Sequence, residues 1–139
     1  FRGNQLAMAT GQATMEFIVA ERIDEHAARM GERLFGLLRR IQAESRSIGD
    51  VRGRGLMLGV EIVDRDEPTD FPGCHPCAPG LASAIQHEAL RRGLILELGG
   101  RHNSVVRFLP PLIVTAEQID TIATIFADAV RAAEQQHEA

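Results

Sequence analysis

The feature that most constrains this chain is a change of hydrophobic period between its first and second thirds. Ile23, Ala27, Met30, Leu34, Leu37 and Ile41 stand 4, 3, 4, 3 and 4 residues apart, with Arg and Glu on the other faces. That spacing draws one apolar stripe along an α-helix over 24–44. Two heptads are too few for a free coiled coil, so the stripe has to lie on a sheet or on another helix. Residues 55–63 (GLMLGVEIV) then form a nearly continuous apolar run bounded by turn formers, the pattern of a buried strand. A long seamed helix next to a short buried strand points to a layered α+β fold.

The flanking segments extend the pattern. Asn4 can cap a helix over 5–20, and Gly3 permits a tight entry turn. The apolar residues of that helix (Leu6, Met8, Ala13, Met15, Phe17, Val19) wrap most of the way round, which predicts burial inside a domain or against another subunit. Residues 47–54 are mostly polar and contain Gly, and read as a connection. Residues 64–80 hold four prolines and two glycines, and read as a loop. A helix over 81–92 turns Leu81, Ala84, Ile85, Ala89 and Leu90 inward and is closed by Gly93. Strands over 94–98 and 105–109 flank Gly99-Gly100, close enough to pair antiparallel, and Pro110-Pro111 halts the second. Thr115 and Gln118 form a capping box for a last helix with Ile119, Ile122, Phe126, Val130 and Ala133 on one face. The expected fold is α+β, a small mainly antiparallel sheet covered by helices. It divides into a helical segment over 1–44 and a small α+β domain over 45–139.

Composition narrows function mainly by exclusion. A formal net charge of -4 gives no electrostatic case for nucleic acid or an anionic membrane. No apolar run approaches the roughly 20 residues of a spanning helix, and no signal peptide opens the chain, which points to a soluble, cytoplasmic protein. The first residue is Phe1, so the chain is expected to begin downstream of its translation start. All 15 basic residues are Arg; there is no Lys. Lys is the amine that forms Schiff bases with carbonyl compounds, so this chain cannot hold such a cofactor covalently.

Several motifs invite chemistry. Cys74-His75-Pro76-Cys77 offers three zinc ligands or a redox pair. It sits in a proline-rich loop without a second CxxC, and no spacing brings His87 or His102 to it, so a surface loop is the preferred reading and no metal is expected. Gly53-Arg54-Gly55 precedes a strand, whereas phosphate loops follow one and open a helix, so it reads as a tight turn. His26, His75, His87 and His102 are most simply solvated. Arg107 stands out inside Val105-Val106-Arg107-Phe108-Leu109, sharing a face with Val105 and Leu109. An Arg on so apolar a strand has to meet an anion or reach solvent. From the pattern alone, a structural salt bridge is the commoner explanation, and a two-pronged carboxylate grip is the functional one.

Four stretches resemble the class III aminotransferases of the ornithine, acetylornithine and 4-aminobutyrate type. They are Phe1-Arg2-Gly3-Asn4-Gln5-Leu6-Ala7, 51–61 (VRGRGLMLGVE), Arg92-Gly93-Leu94-Ile95 and Val106-Arg107-Phe108-Leu109-Pro110-Pro111-Leu112, in family order over nearly the whole chain. FRGNQLAMA, GLILELGGRH and VVRFLPPLIVTAEQID are similar to the subgroup that moves the distal amino group of L-2,4-diaminobutyrate to 2-oxoglutarate, giving aspartate 4-semialdehyde and glutamate.

The resemblance implies the C-terminal small domain of a fold-type I enzyme dependent on pyridoxal phosphate. Arg107 then matches the family Arg that binds the α-carboxylate of glutamate or 2-oxoglutarate, which makes the carboxylate grip the better reading. Phe1, Gly3 and Asn4 match a segment near the cofactor, just after a family Thr that contacts the cofactor phosphate of the neighbouring subunit. The family's Schiff-base Lys, the Asp under the pyridine nitrogen and the Gly-rich phosphate turn have no counterpart here. The chain alone is therefore expected to bind no cofactor and to be inactive, while its partners are amino acid and 2-oxo acid substrates and, through the apolar first helix, a homodimer or self-association. The alternatives are a standalone, non-enzymatic dimerisation or regulatory module, and a small zinc protein using Cys74 and Cys77.

Overall fold

A computed structural model describes residues 3–68 and 74–137. The elements are α1 (Gln5–Ala20), α2 (Ile23–Glu44), β1 (Ile48–Arg54), β2 (Met57–Ile62), α3 (Pro79–Arg91), β3 (Glu97–Gly99), a 3-10 turn (Arg101–Asn103), β4 (Val105–Phe108) and α4 (Ala116–His137). The four strands form one antiparallel sheet in the order β1-β2-β4-β3. The fold is α+β, as the period change predicts.

Alternation along the strands decides which side is the core. Leu58, Val60 and Ile62 of β2 and Val106 and Phe108 of β4 point to one face and are buried. Helices α2, α3 and α4 cover that face, with Leu34 and Leu38 of α2, Ile85 of α3 and Phe126 of α4 in one cluster with the strands. Phe108 meets Phe126 edge to face, with ring centroids 5.1 Å apart and an interplanar angle of 88°. Among the described residues the opposite face carries no helix, and Met57 stands exposed on it.

The stripe of α2 is rotated slightly from its spacing. Gly31, Leu34 and Leu38 form its most buried line, while Ala27, Met30, Leu37 and Ile41 flank it. Gly31 is there because the backbone of the β1–β2 turn passes so close that an added Cβ would lie 2.2 Å from the Gly55 carbonyl oxygen. Gly55 in that turn (φ 54) and Gly53 near the end of β1 (φ 146) both take a backbone conformation that favours glycine. Gly53 and Arg54 thus end β1, paired with Leu58 and Met57, and of the three residues only Gly55 lies in the tight turn that enters β2.

Three sequence expectations need correction. Residues 47–54, expected to be a connection, are almost entirely the edge strand β1 (Ile48–Arg54). Its composition hides it because only Ile48 and Val51 face the core, with a register irregularity between Ile48 and Asp50. Helix α1 has no buried residue, and Leu6, Met8, Met15, Phe17 and Val19 are exposed, so the burial expected of it, inside a domain or against another subunit, has no counterpart among the described residues of this chain. Leu90 of α3 faces out, and Glu88 takes an inward position, where its carboxylate pairs with Arg92 and with Arg91 at 3.1 Å. His26 is no solvated ring: its Nε2 donates to the Val114 carbonyl at 2.8 Å and ties α2 to the entry of α4.

The capping signals hold. Asn4 Oδ1 accepts from the Leu6 and Ala7 amides at 3.0 and 3.3 Å. Thr115 and Gln118 cap α4 reciprocally, at 3.2 and 2.9 Å. Cys74 is exposed and Cys77 half-buried, both free thiols, and Cys77 bridges to Val63 beside the sheet. Among the described residues no three His, Cys, Asp or Glu side chains gather as a metal site, and no helix is long and apolar enough to cross a membrane.

Candidate functional site: an arginine on the open sheet face

The uncovered face of the sheet carries the chemistry. The strand registers place Arg52 opposite Gly59, Gly59 opposite Arg107 and Arg107 opposite Glu97. With period two these four positions form a row across β1, β2, β4 and β3 on the side away from the helices. The next row contains Asp50, Glu61, Val105 and Gly99. Arginine and carboxylate side chains therefore meet where no core competes for the space.

Glycine shapes the surroundings of Arg107. Gly59 leaves a hollow of about 210 Å³ between Arg52, Met57, Val105, Arg107 and Leu109. On the other side, Glu97, Arg107, Ile95, Leu109, Pro110 and Pro111 line part of a groove of about 560 Å³. The guanidinium itself lies against the bare backbone of Gly99. A Cβ added at Gly99 would come within 2.8 Å of Nε and 2.9 Å of Cζ.

The two arginines differ in what they have left to offer. Arg52 donates from Nη1 to Glu61 at 2.7 Å and to Asp50 at 3.1 Å, and these bonds, Glu61 first, raise its pKa above the usual arginine value. It is flanked by two carboxylates. Arg107 donates from Nη2 to the Glu97 carboxylate, and both side chains remain about half exposed. A guanidinium carries five N–H donors in a planar fork, so this one contact leaves donors free for a second carboxylate.

Arg107, singled out by its apolar strand, therefore sits on an open face in an ion pair, and its environment suits a carboxylate as well. Gly3 and Asn4 lie at the start of α1 and line neither the hollow nor the groove. Asn4 Oδ1 is engaged in capping. Phe1 lies outside the described residues. Glu97 went unread in the sequence. Its signal is present: pairing the strands around Gly99-Gly100 puts residues 99 and 105, 98 and 106, and 97 and 107 opposite one another.

Comparison with known proteins identifies the family and the fold. The family model for class-III aminotransferases matches residues 1–130. A diaminobutyrate–2-oxoglutarate aminotransferase of Rhizobium meliloti (strain 1021) is 51% identical over 129 residues, covering 93% of this chain and 27% of the relative. One from Haemophilus influenzae is 41% identical over 130 residues, covering 94% and 29%. Among solved structures, a phospholyase from Arthrobacter in complex with phosphoethanolamine superposes with a TM-score of 0.80 at 27% identity, covering 89% of this chain and 28% of that one. The chain thus spans under a third of the length of these relatives. With the family model matched over residues 1–130, the chain belongs to the class-III aminotransferase family.

Proposed function

We propose that this chain is the C-terminal part of a pyridoxal-phosphate-dependent aminotransferase that moves an amino group between L-2,4-diaminobutyrate and 2-oxoglutarate. Aspartate 4-semialdehyde and glutamate are the other pair. The 51% identity to a protein of that name supports the substrate choice. The observation that carries the reading is the Arg107 guanidinium on the open sheet face, seated on Gly99 with donors left for a carboxylate. Its role is to bind and orient the α-carboxylate of glutamate or 2-oxoglutarate, holding the reacting carbon in place.

The residues of this chain do not by themselves fit the cofactor. There is no Lys to bind it covalently, and the Asn4 side-chain oxygen already caps α1. Gly3 and Asn4 are assigned a place near the cofactor phosphate through the backbone of that segment only. The chain alone is accordingly inactive and without cofactor absorbance. The exposed apolar residues of α1 are assigned to a contact with the rest of the enzyme or with a second subunit, in a cytoplasmic homodimer.

The test is Arg107→Ala in the full-length enzyme. Losing a hydrogen-bonded contact to a charged carboxylate costs about 1.5–3 kcal/mol, so the KM for 2-oxoglutarate should rise at least about 10-fold. Unchanged kinetics with 2-oxoglutarate would remove Arg107 from the site. The same exposed α1 surface also suits a standalone dimerisation module, and the intact mass of the gene product separates the two readings. A mass near 15.2 kDa supports the module, and one several-fold larger supports the aminotransferase.

A further inference from the structure

Arg22 joins α1 to α2 in a conformation that few arginines adopt. Its φ and ψ are 51 and 45, left-handed values that crowd the Cβ of an L-residue against the following carbonyl. A left-handed residue at the end of a helix is usually glycine. His102 and Asn103 also have positive φ, but they sit where the chain reverses between β3 and β4. Arg22 has no such loop around it. Helix α1 ends at Ala20 and α2 begins at Ile23, so Glu21 and Arg22 make the whole change of direction.

The two sides of this join are held unequally. Helix α2 is anchored in the domain at its first residue, Ile23, which is buried. One turn on, His26 Nε2 bonds the Val114 carbonyl at 2.8 Å, and Val114 lies in the loop that leaves β4, the strand of Arg107. The Arg22 side chain belongs to the same side. It donates to the Glu25 carboxylate from Nε at 2.9 Å and from Nη2 at 2.6 Å, over the first turn of α2. Helix α1, on the other side, has no buried residue. Its direction relative to Arg107 is therefore set chiefly by the backbone at Arg22.

We infer that Arg22 is a positioning residue, an elbow whose left-handed backbone sets the direction of α1 and through it the place of Arg107 in the assembled enzyme. This rests on the readings of α1 as the contact with the rest of the enzyme and of Arg107 as the carboxylate site. A right-handed residue 22 would let α1 run on into α2 as one helix. Whatever packs on α1 would then meet the sheet and its arginine from another angle.

The experiment is a pulsed electron resonance distance in the full-length enzyme, with nitroxides at Gln12→Cys on α1 and Glu32→Cys on α2 and the other cysteines replaced by Ser. Steady-state kinetics with 2-oxoglutarate on the unlabelled variants accompanies it. The labels stand 20 positions apart, about 30 Å in one continuous helix, and wild type should read shorter. Residue 22 is exposed, so replacing it leaves the core intact. Arg22→Gly and Arg22→Asn lose the cation but accept positive φ, and should keep the distance and a kcat/KM within about 2-fold of wild type. Arg22→Ala and Arg22→Gln lose the same cation and favour the right-handed helix. They should lengthen the distance toward that of the continuous helix and cut kcat/KM by about 10-fold, since misplacing a binding group by about 1 Å can cost as much as 100-fold. A loss shared by all four variants assigns the effect to the ion pair with Glu25 and overturns the inference, as does a distance that none of them changes. A lengthened distance with unchanged kinetics cuts the link between the elbow and Arg107 and overturns it as well. If Arg107→Ala leaves the kinetics untouched, the carboxylate reading falls by itself, and the four distances still decide the elbow.

Discussion

Gly99→Ala should damage the site without damaging the fold. The glycine has no backbone need of its own, since its φ lies outside the left-handed region, so alanine can take its conformation. The new methyl would lie 2.8 Å from Arg107 Nε, 2.9 Å from Cζ and 3.3 Å from Nη2. Ordinary non-bonded contact requires about 3.5–4 Å, so the guanidinium has to retreat by roughly 0.6–1.2 Å. The retreating group is the end of a flexible side chain on an open face. Stability should therefore stay within about 0.5 kcal/mol of wild type. Function has no such slack, because misplacing a binding group by about 1 Å can cost as much as 100-fold in rate. We expect kcat/KM for 2-oxoglutarate in the full-length enzyme to fall by about 10- to 100-fold, or roughly 1.4–2.8 kcal/mol of transition-state stabilisation. Steady-state kinetics with a thermal melt on the same preparation reads both quantities. Unchanged kinetics would show that the guanidinium does not depend on the Gly99 seat. A collapsed melting temperature would show that the glycine serves the sheet instead.

Two further predictions concern the scaffold. Gly31→Ala and Gly36→Ala both add a methyl to α2 and should have opposite signs in denaturant unfolding. At Gly31 the methyl meets the Gly55 carbonyl oxygen at 2.2 Å, so overpacking should cost about 1–3 kcal/mol, whereas Gly36 has nothing within 4 Å and should gain up to about 1 kcal/mol of helix propensity. Acid should weaken the packing of α4: Arg92 foremost holds the Glu88 pKa, and Arg33 the Asp120 pKa, below the usual carboxylate value. Their contributions are complete above the unfolded values of about 4 and are lost as pH falls through the lower folded ones, so Asp120→Asn should flatten the acid limb of a stability–pH curve.

What could be read from the sequence follows from how each signal is encoded. Helices α2 and α4 declare themselves because a stripe repeated over 22 residues outweighs any single exception. Strand β1 fails the same test because an edge strand with one open face needs only two core residues, here Ile48 and Val51, and charged side chains are welcome on the rest. Glu88 breaks the inward pattern of α3 for another reason: Arg91, Arg92 and Gln136 satisfy its carboxylate, and those partners include one 48 residues away. The site divides in the same way. Arg107 is visible because a charge inside five otherwise apolar residues contradicts its surroundings. Glu97 is not, because a glutamate beside a turn contradicts nothing. Its meaning lies in register, and register depends on where the turn at Gly100 reverses the chain. Had that turn been one residue longer, Glu97 would face the helices and Arg107 would lose its partner. A contact of this kind is written in pairing rather than in composition, and it becomes legible only once the register of the β3–β4 hairpin is known.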